Sequence, residues 1–110
     1  MTEEERAAAI AQLNDYHRCR INGSWLLTPG VLALDAAKLA SAIEEVCTFQ
    51  AFDEGDDPYG ERDFGAFEIG GARFIWKIDY YDLDLRNASP DPANETLTKR
   101  ILTLMLAEEY

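Results

Sequence analysis

Apolar positions recur at helical spacing from the start of the chain. Ala9, Ile10, Leu13, Tyr16 and His17 share one side of a segment that predicts a helix over residues 3–18. Thr2 and Glu5 give the T-x-x-E pattern of a capping box, and the early glutamates suit the positive end of that helix. Asn22-Gly23 breaks the period, and Ser24-Trp25-Leu26-Leu27-Thr28 predicts a short buried strand. Pro29-Gly30 marks a turn. Asp35 is placed to cap a second helix reaching about Phe49, with Ala36, Leu39, Ala40, Ile43, Val46 and Cys47 on one face. From Gln50 to Arg62 there is no period at all, which predicts a long acidic loop.

The period then changes to two. Residues 64–69 and 72–80 alternate around Gly70-Gly71, a two-residue connection suited to positive φ, and so predict a β-hairpin. With that loop, cross-strand partners sum to a constant residue number. Phe67 then faces Phe74, Trp76 lies over Gly65, and Glu68 meets Arg73. One face carries Phe67, Ile69, Phe74, Trp76 and Ile78; the other carries Glu68, Arg73, Lys77 and Asp79. Beyond "NASPDPANE", Asp91 or Asn94 predicts the start of a last helix running almost to Tyr110. Its apolar residues Leu97, Ile101, Leu102, Leu104, Met105 and Leu106 wrap so much of the circumference that it should lie at the centre of the core. The expected fold is α+β: helix, strand, helix, hairpin, helix, with a small, mainly antiparallel three-stranded sheet packed on the helices in a single domain spanning 1–110.

Charge sharpens this picture. Ten basic residues stand against 21 acidic ones, a net −11. Between residues 53 and 84 there are ten acids and only three bases. Such a field repels nucleic acid and favours a partner with a basic surface. No basic leader and no apolar run near the length of a membrane helix is seen, so a cytoplasmic protein with no membrane role is expected. Cys19 and Cys47 could pair, but in that compartment they are expected reduced; their spacing fits no zinc motif.

The acidic loop invites a search for chemistry. An EF-hand would need oxygen ligands at alternating positions and glycine at the sixth. Starting from Asp53 or from Asp56, the pattern fails at Pro58. "DPYG" matches a type I turn instead, with Asp57 free to bond nearby amides. A metal nuclease using Asp63, Glu68 and Lys77 lacks the acid two residues before the lysine, where Ile75 stands. The single histidine, His17, has no G-x-S-x-G partner motif. No catalytic residue, cofactor or metal ligand is therefore assigned. The exposed tyrosines among these acids suit an interface better than an active site.

The strings "LTPGV", "DPYGERDFGAF", "WKIDYYD", "SPDPA" and "TKRILTLMLAEEY" together resemble an uncharacterised family of short bacterial proteins of unknown function, over residues 14–110. The resemblance implies one compact module, carried on mobile elements such as plasmids and prophages. It implies no activity.

The expected function is that of a non-enzymatic acidic inhibitor occupying the basic surface of a nucleic-acid-binding protein or nuclease complex, an anti-CRISPR or other anti-defence role. Side chains on one strand face repeat at about 6.6 Å, comparable with phosphate spacings. The candidate partner-binding residues are Asp53, Glu54, Asp56, Asp57, Tyr59, Glu61, Asp63, Asp79, Tyr81, Asp82 and Asp84. Two alternatives remain: a metal-assisted hydrolase built on the 53–63 loop, and a structural or antitoxin-like subunit that forms a homodimer.

Overall fold

A computed structural model describes residues 1–20 and 24–110; the expected break at Asn22-Gly23 lies outside the described residues. Helix α1 (Glu3–Arg18) begins where the capping box requires. The Thr2 hydroxyl accepts from the Glu5 amide, and the Glu5 carboxylate accepts from the Thr2 amide. Strand β1 (Trp25–Leu27) follows. Pro29-Gly30 opens a one-turn helix, α2 (Pro29–Leu32), rather than a bare turn, because proline is well suited to the first helical position. Helix α3 (Ala36–Thr48) is capped by the Asp35 carboxylate on the Lys38 amide.

Strands β2 (Phe64–Ile69) and β3 (Ala72–Tyr81) form the hairpin in the expected register: Phe67 opposite Phe74, Gly65 opposite Trp76, Glu68 opposite Arg73. Gly70 and Gly71 both have positive φ, as that turn demands.

The last segment is not a helix. Asn94 does cap a helical turn, accepting from the Thr96 amide, but that turn is a single 3-10 one (Glu95–Leu97). The chain then enters strand β4 (Lys99–Leu106), which pairs antiparallel with β3 along its whole length and parallel with β1. The sheet is therefore four-stranded and mixed, in the order β1-β4-β3-β2, not a three-stranded antiparallel one. The apolar wrap seen in the sequence belongs to a central strand flanked on both sides by other strands. Arg100, Leu102 and Leu104 point inward, while Met105 is buried on the other face. Leucine, methionine, lysine and arginine all favour helix in isolation, and the neighbouring strands override that preference.

Helices α1 and α3 cover the inner face. The core joins Ala42, Val46 and Phe49 of the α3 region to Trp25, Phe74, Trp76, Ile78, Leu102 and Leu104 of the sheet, with Val31 of α2 at its edge. On α3, Ala36 and Ala40 are exposed and Ala42 takes their expected place inside. On α1 the buried residues are Ile10, Ala11, Asn14 and Arg18, whereas the expected Tyr16 is exposed. Half of that buried face is polar, so α1 is docked as much by hydrogen bonds as by apolar area. At the far end, Glu109 joins the termini of other elements, accepting from the Thr28 hydroxyl and from the Gly30 and Leu106 amides.

Trp76 is fully buried, edge-on to Phe49 and Phe52, and its ring occupies the space above Gly65. A methyl group on Gly65 would stand 2.3 Å from the indole Nε1 and 2.9 Å from the Phe49 ring. Neither ring can swing away in a packed core. Gly65→Ala is expected to destabilise the protein by about 1–3 kcal/mol in urea unfolding. Unchanged stability would show that the indole is not held there.

Candidate functional site

The acidic loop closes on itself through backbone bonds. The Asp53 carboxylate accepts from the Asp56 amide at 2.8 Å, and the Asp53 carbonyl accepts from the Asp57 amide at 2.8 Å. The Gly60 amide donates to the Asp57 carbonyl, closing the "DPYG" turn. Both Asp57 carboxylate oxygens accept from the Arg62 amide at 3.1 Å, and Arg62 has a φ of 56°. Asp57 is thus buried and stabilises a left-handed backbone; it is not a free surface charge. By contrast Asp53, Glu54, Asp56 and Tyr59 are exposed, the tyrosine 79% so.

Past the loop, the chain dives under α1. Asn14, fully buried, is the hub of a polar network between α1 and the sheet. Its amide nitrogen donates to the Tyr80 hydroxyl at 2.8 Å and to the Glu61 carbonyl at 3.0 Å. Its amide oxygen accepts from Arg100 Nε at 2.7 Å. The Tyr80 hydroxyl donates to the Glu61 carboxylate, and Arg100 donates to the Pro92 carbonyl while its guanidinium lies over the Tyr80 ring. Burial, with help from Asp63, pushes the Tyr80 phenol well above its ordinary range, so it stays a donor.

Asp63 faces this network too. Its carbonyl accepts from the Ile78 amide, placing its side chain on the inner side of the hairpin beside Tyr80. Burial, and then the neighbouring Glu61 and Asp57, push its carboxyl up to about 6, against the pull of its own backbone and the Tyr80 hydroxyl. Glu61 and Asp63 are thus half-buried members of this network rather than freely exposed charges. A second buried arginine completes the dock: Arg18 donates to the Val46 carbonyl and to Asp15, which also pairs with Arg62.

The remaining expected residues separate by strand parity. Asp79 and Tyr81 lie on the outer face of the sheet, where Asp79 is paired with Lys77. Asp82 caps the turn after β3, accepting from the Arg86 and Asn87 amides, which hold its carboxyl below the usual range. Asp84 is exposed. The eleven candidates thus do not form one continuous surface. Among the described residues, no three His, Cys, Asp or Glu side chains stand together as a set that could hold a metal ion.

The structure adds residues that sequence reading passed over. Glu3 and Glu4 of α1 line a cleft with Arg6, Ala7, Tyr59 and Glu61. The run "EEE" reads as a helix start, and nothing local in the sequence brings it beside Tyr59. A larger cleft of about 580 Å³, between α1 and the start of β4, is lined by His17, Tyr16, Thr98, Lys99 and Arg100 among others. Burial and the nearby Arg100 hold the His17 imidazole below its usual range, so it is neutral near pH 7.

The profile of the family described as "Protein of unknown function (DUF3768)" matches residues 27–109, and the chain belongs to that family. The match starts after α1, later than the expected residue 14. No curated protein matches the chain. No solved structure matches it either. Among the described residues, no helix is long and apolar enough to cross a membrane.

Proposed function

We propose that this member of the DUF3768 family is a non-enzymatic acidic binding protein that occupies the basic, nucleic-acid-binding surface of another protein. One observation carries the reading: the surplus charge is left open. The four ion pairs among the described residues engage only Asp15, Asp79 and Asp91, out of 21 acidic side chains. The exposed carboxylates of Asp53, Glu54 and Asp56 lie on the loop that carries Tyr59, and Glu3 and Glu4 extend the negative field across the cleft from it. An exposed tyrosine among carboxylates offers an aromatic anchor inside an electrostatic footprint. Asp57, Glu61 and Asp63 support this surface from beneath. With the mobile-element carriage that the resemblance implies, a host defence nuclease complex is the target class that such mimicry of phosphates would serve.

The test is capture from host lysate on immobilised protein at about 50 mM and about 500 mM salt, beside a Glu54→Lys/Asp56→Lys variant. Proteins retained by the native chain are expected to be lost at high salt, where exposed charges are screened. The variant should lose them as well, and duplex DNA should displace them. Retention indifferent to salt, to both substitutions and to DNA would remove the electrostatic account.

A dimerising subunit is the second reading, and it has its own observation. The outer face of the sheet carries Leu26, Phe64, Ile75 and Thr103, and exposed Tyr110 lies edge-on to Phe64. Light scattering of the purified chain decides between a monomer and a dimer.

A further inference from the structure

We propose that Cys19 and Cys47 form a thiol pair that a low-molecular-weight disulfide such as oxidised glutathione converts to an intramolecular disulfide, locking α1 onto α3. Cys19 is the C-cap residue of α1, and Cys47 is the penultimate residue of α3. The Cys19 Sγ lies 3.6 Å from the Cys47 carbonyl oxygen. One residue back along each helix, Arg18 Nη1 donates to the Val46 carbonyl at 2.6 Å. The two helix ends are thus held against each other at consecutive positions. The Cys19 Sγ thus touches the backbone of the residue whose thiol it must meet, and a disulfide asks further for Cα atoms no more than about 7 Å apart. Both are free thiols, Cys19 exposed and Cys47 half-buried.

That asymmetry orders the chemistry. The Cys19 thiolate attacks one sulfur of oxidised glutathione; its S–S bond breaks and one glutathione thiolate leaves and takes a proton. Cys19 is now a mixed disulfide. The Cys47 thiol then gives its proton to solvent, and its thiolate attacks the Cys19 sulfur, expelling the second glutathione. Two protein thiols are oxidised and one small disulfide is reduced to two thiols. Burial, and then the neighbouring Cys19, keep the Cys47 thiol above its ordinary range, so its step is the slow one and quickens as pH rises. The consequence falls on α1, which precedes the family-matched region and buries only Ile10 and Ala11 as apolar side chains. A covalent tie would hold a helix that is otherwise attached mainly by polar contacts.

The full chain incubated with oxidised glutathione, alkylated and mapped without reduction, tests this. The native protein is expected to lose two hydrogens, yield a peptide linked through Cys19 and Cys47, and gain on the order of 10 °C in Tm, all reversed by dithiothreitol. Cys47→Ser should stop at one glutathionyl group on Cys19. Cys19→Ser should react at least about ten-fold more slowly, because only the half-buried thiol remains. A stable adduct on Cys19 in the native protein, linkage found only between chains, or equal reaction of the two single variants would overturn the proposal.

Discussion

Replacing Asn14 with leucine is expected to destabilise the protein by about 3–4 kcal/mol, more than any other change at a non-apolar position. Leucine keeps the branched four-atom skeleton but is bulkier, so overpacking adds to a cost that comes mainly from the lost polar partners. The substitution leaves Arg100 Nε and the Glu61 carbonyl without Asn14, and the Tyr80 hydroxyl with only the Glu61 carboxylate. Arg100 is only 7% exposed, and burial already holds its guanidinium below its ordinary range. A buried donor on a charged group that loses its acceptor is the expensive case. The urea midpoint of Asn14→Leu measures the effect against Gln12→Leu on the exposed side of the same helix, where a change within about 0.5 kcal/mol is expected. Adding Arg100→Met to Asn14→Leu should recover part of the loss, since no charge is then left stranded. Equal losses at residues 12 and 14, or no recovery in the double variant, would show that the network does not dock α1.

Asp63→Asn should do the reverse and stabilise the protein near neutral pH, by about 3 kcal/mol at most. The carboxyl titrates at about 6 in the fold against an ordinary 3.8, so between those values the folded state holds more protons than the unfolded state. Stability contributed by this group is present below about pH 4, falls as pH rises, and is fully lost above about pH 6. Asparagine removes the titration. The gap between variant and native protein should therefore be small at pH 4, widen up to about pH 6, and stay level beyond it. Urea unfolding at three pH values reads it directly. A gap that is the same at all three would mean that the carboxyl is solvated and that Glu61 and Asp57 do not crowd it.

Local chemistry carried much of this protein into view. The Thr2/Glu5 box, the Asp35 cap, the Gly70-Gly71 turn and the whole β2–β3 register are decided by residues close in the chain, and each appears as read. Asp57 in "DPYG" was read as a turn former and is one, although its carboxylate reaches two residues further, to Arg62. The fate of residues 99–106 was not local. Their composition suits a helix, and only the edges offered by β1 and β3, both distant in sequence, make them the central strand.

The candidate surface divides the same way. The acidic residues along the chain set an excess of negative charge, which the four ion pairs among the described residues do not neutralise. Which carboxylates face outward depends on folding. Asp57 turns in to meet the Arg62 amide, Glu61 reaches the Tyr80 hydroxyl, Asp63 faces the inner side because it pairs beside Ile78, and Asp79 turns out because β3 alternates. By itself, then, the sequence determined charge, caps, turns and one hairpin, all set by neighbours within a few residues. Only the tertiary structure decided the last strand, the mixed sheet and the inward carboxylates, because a strand edge and a buried polar partner come from segments far apart in the chain.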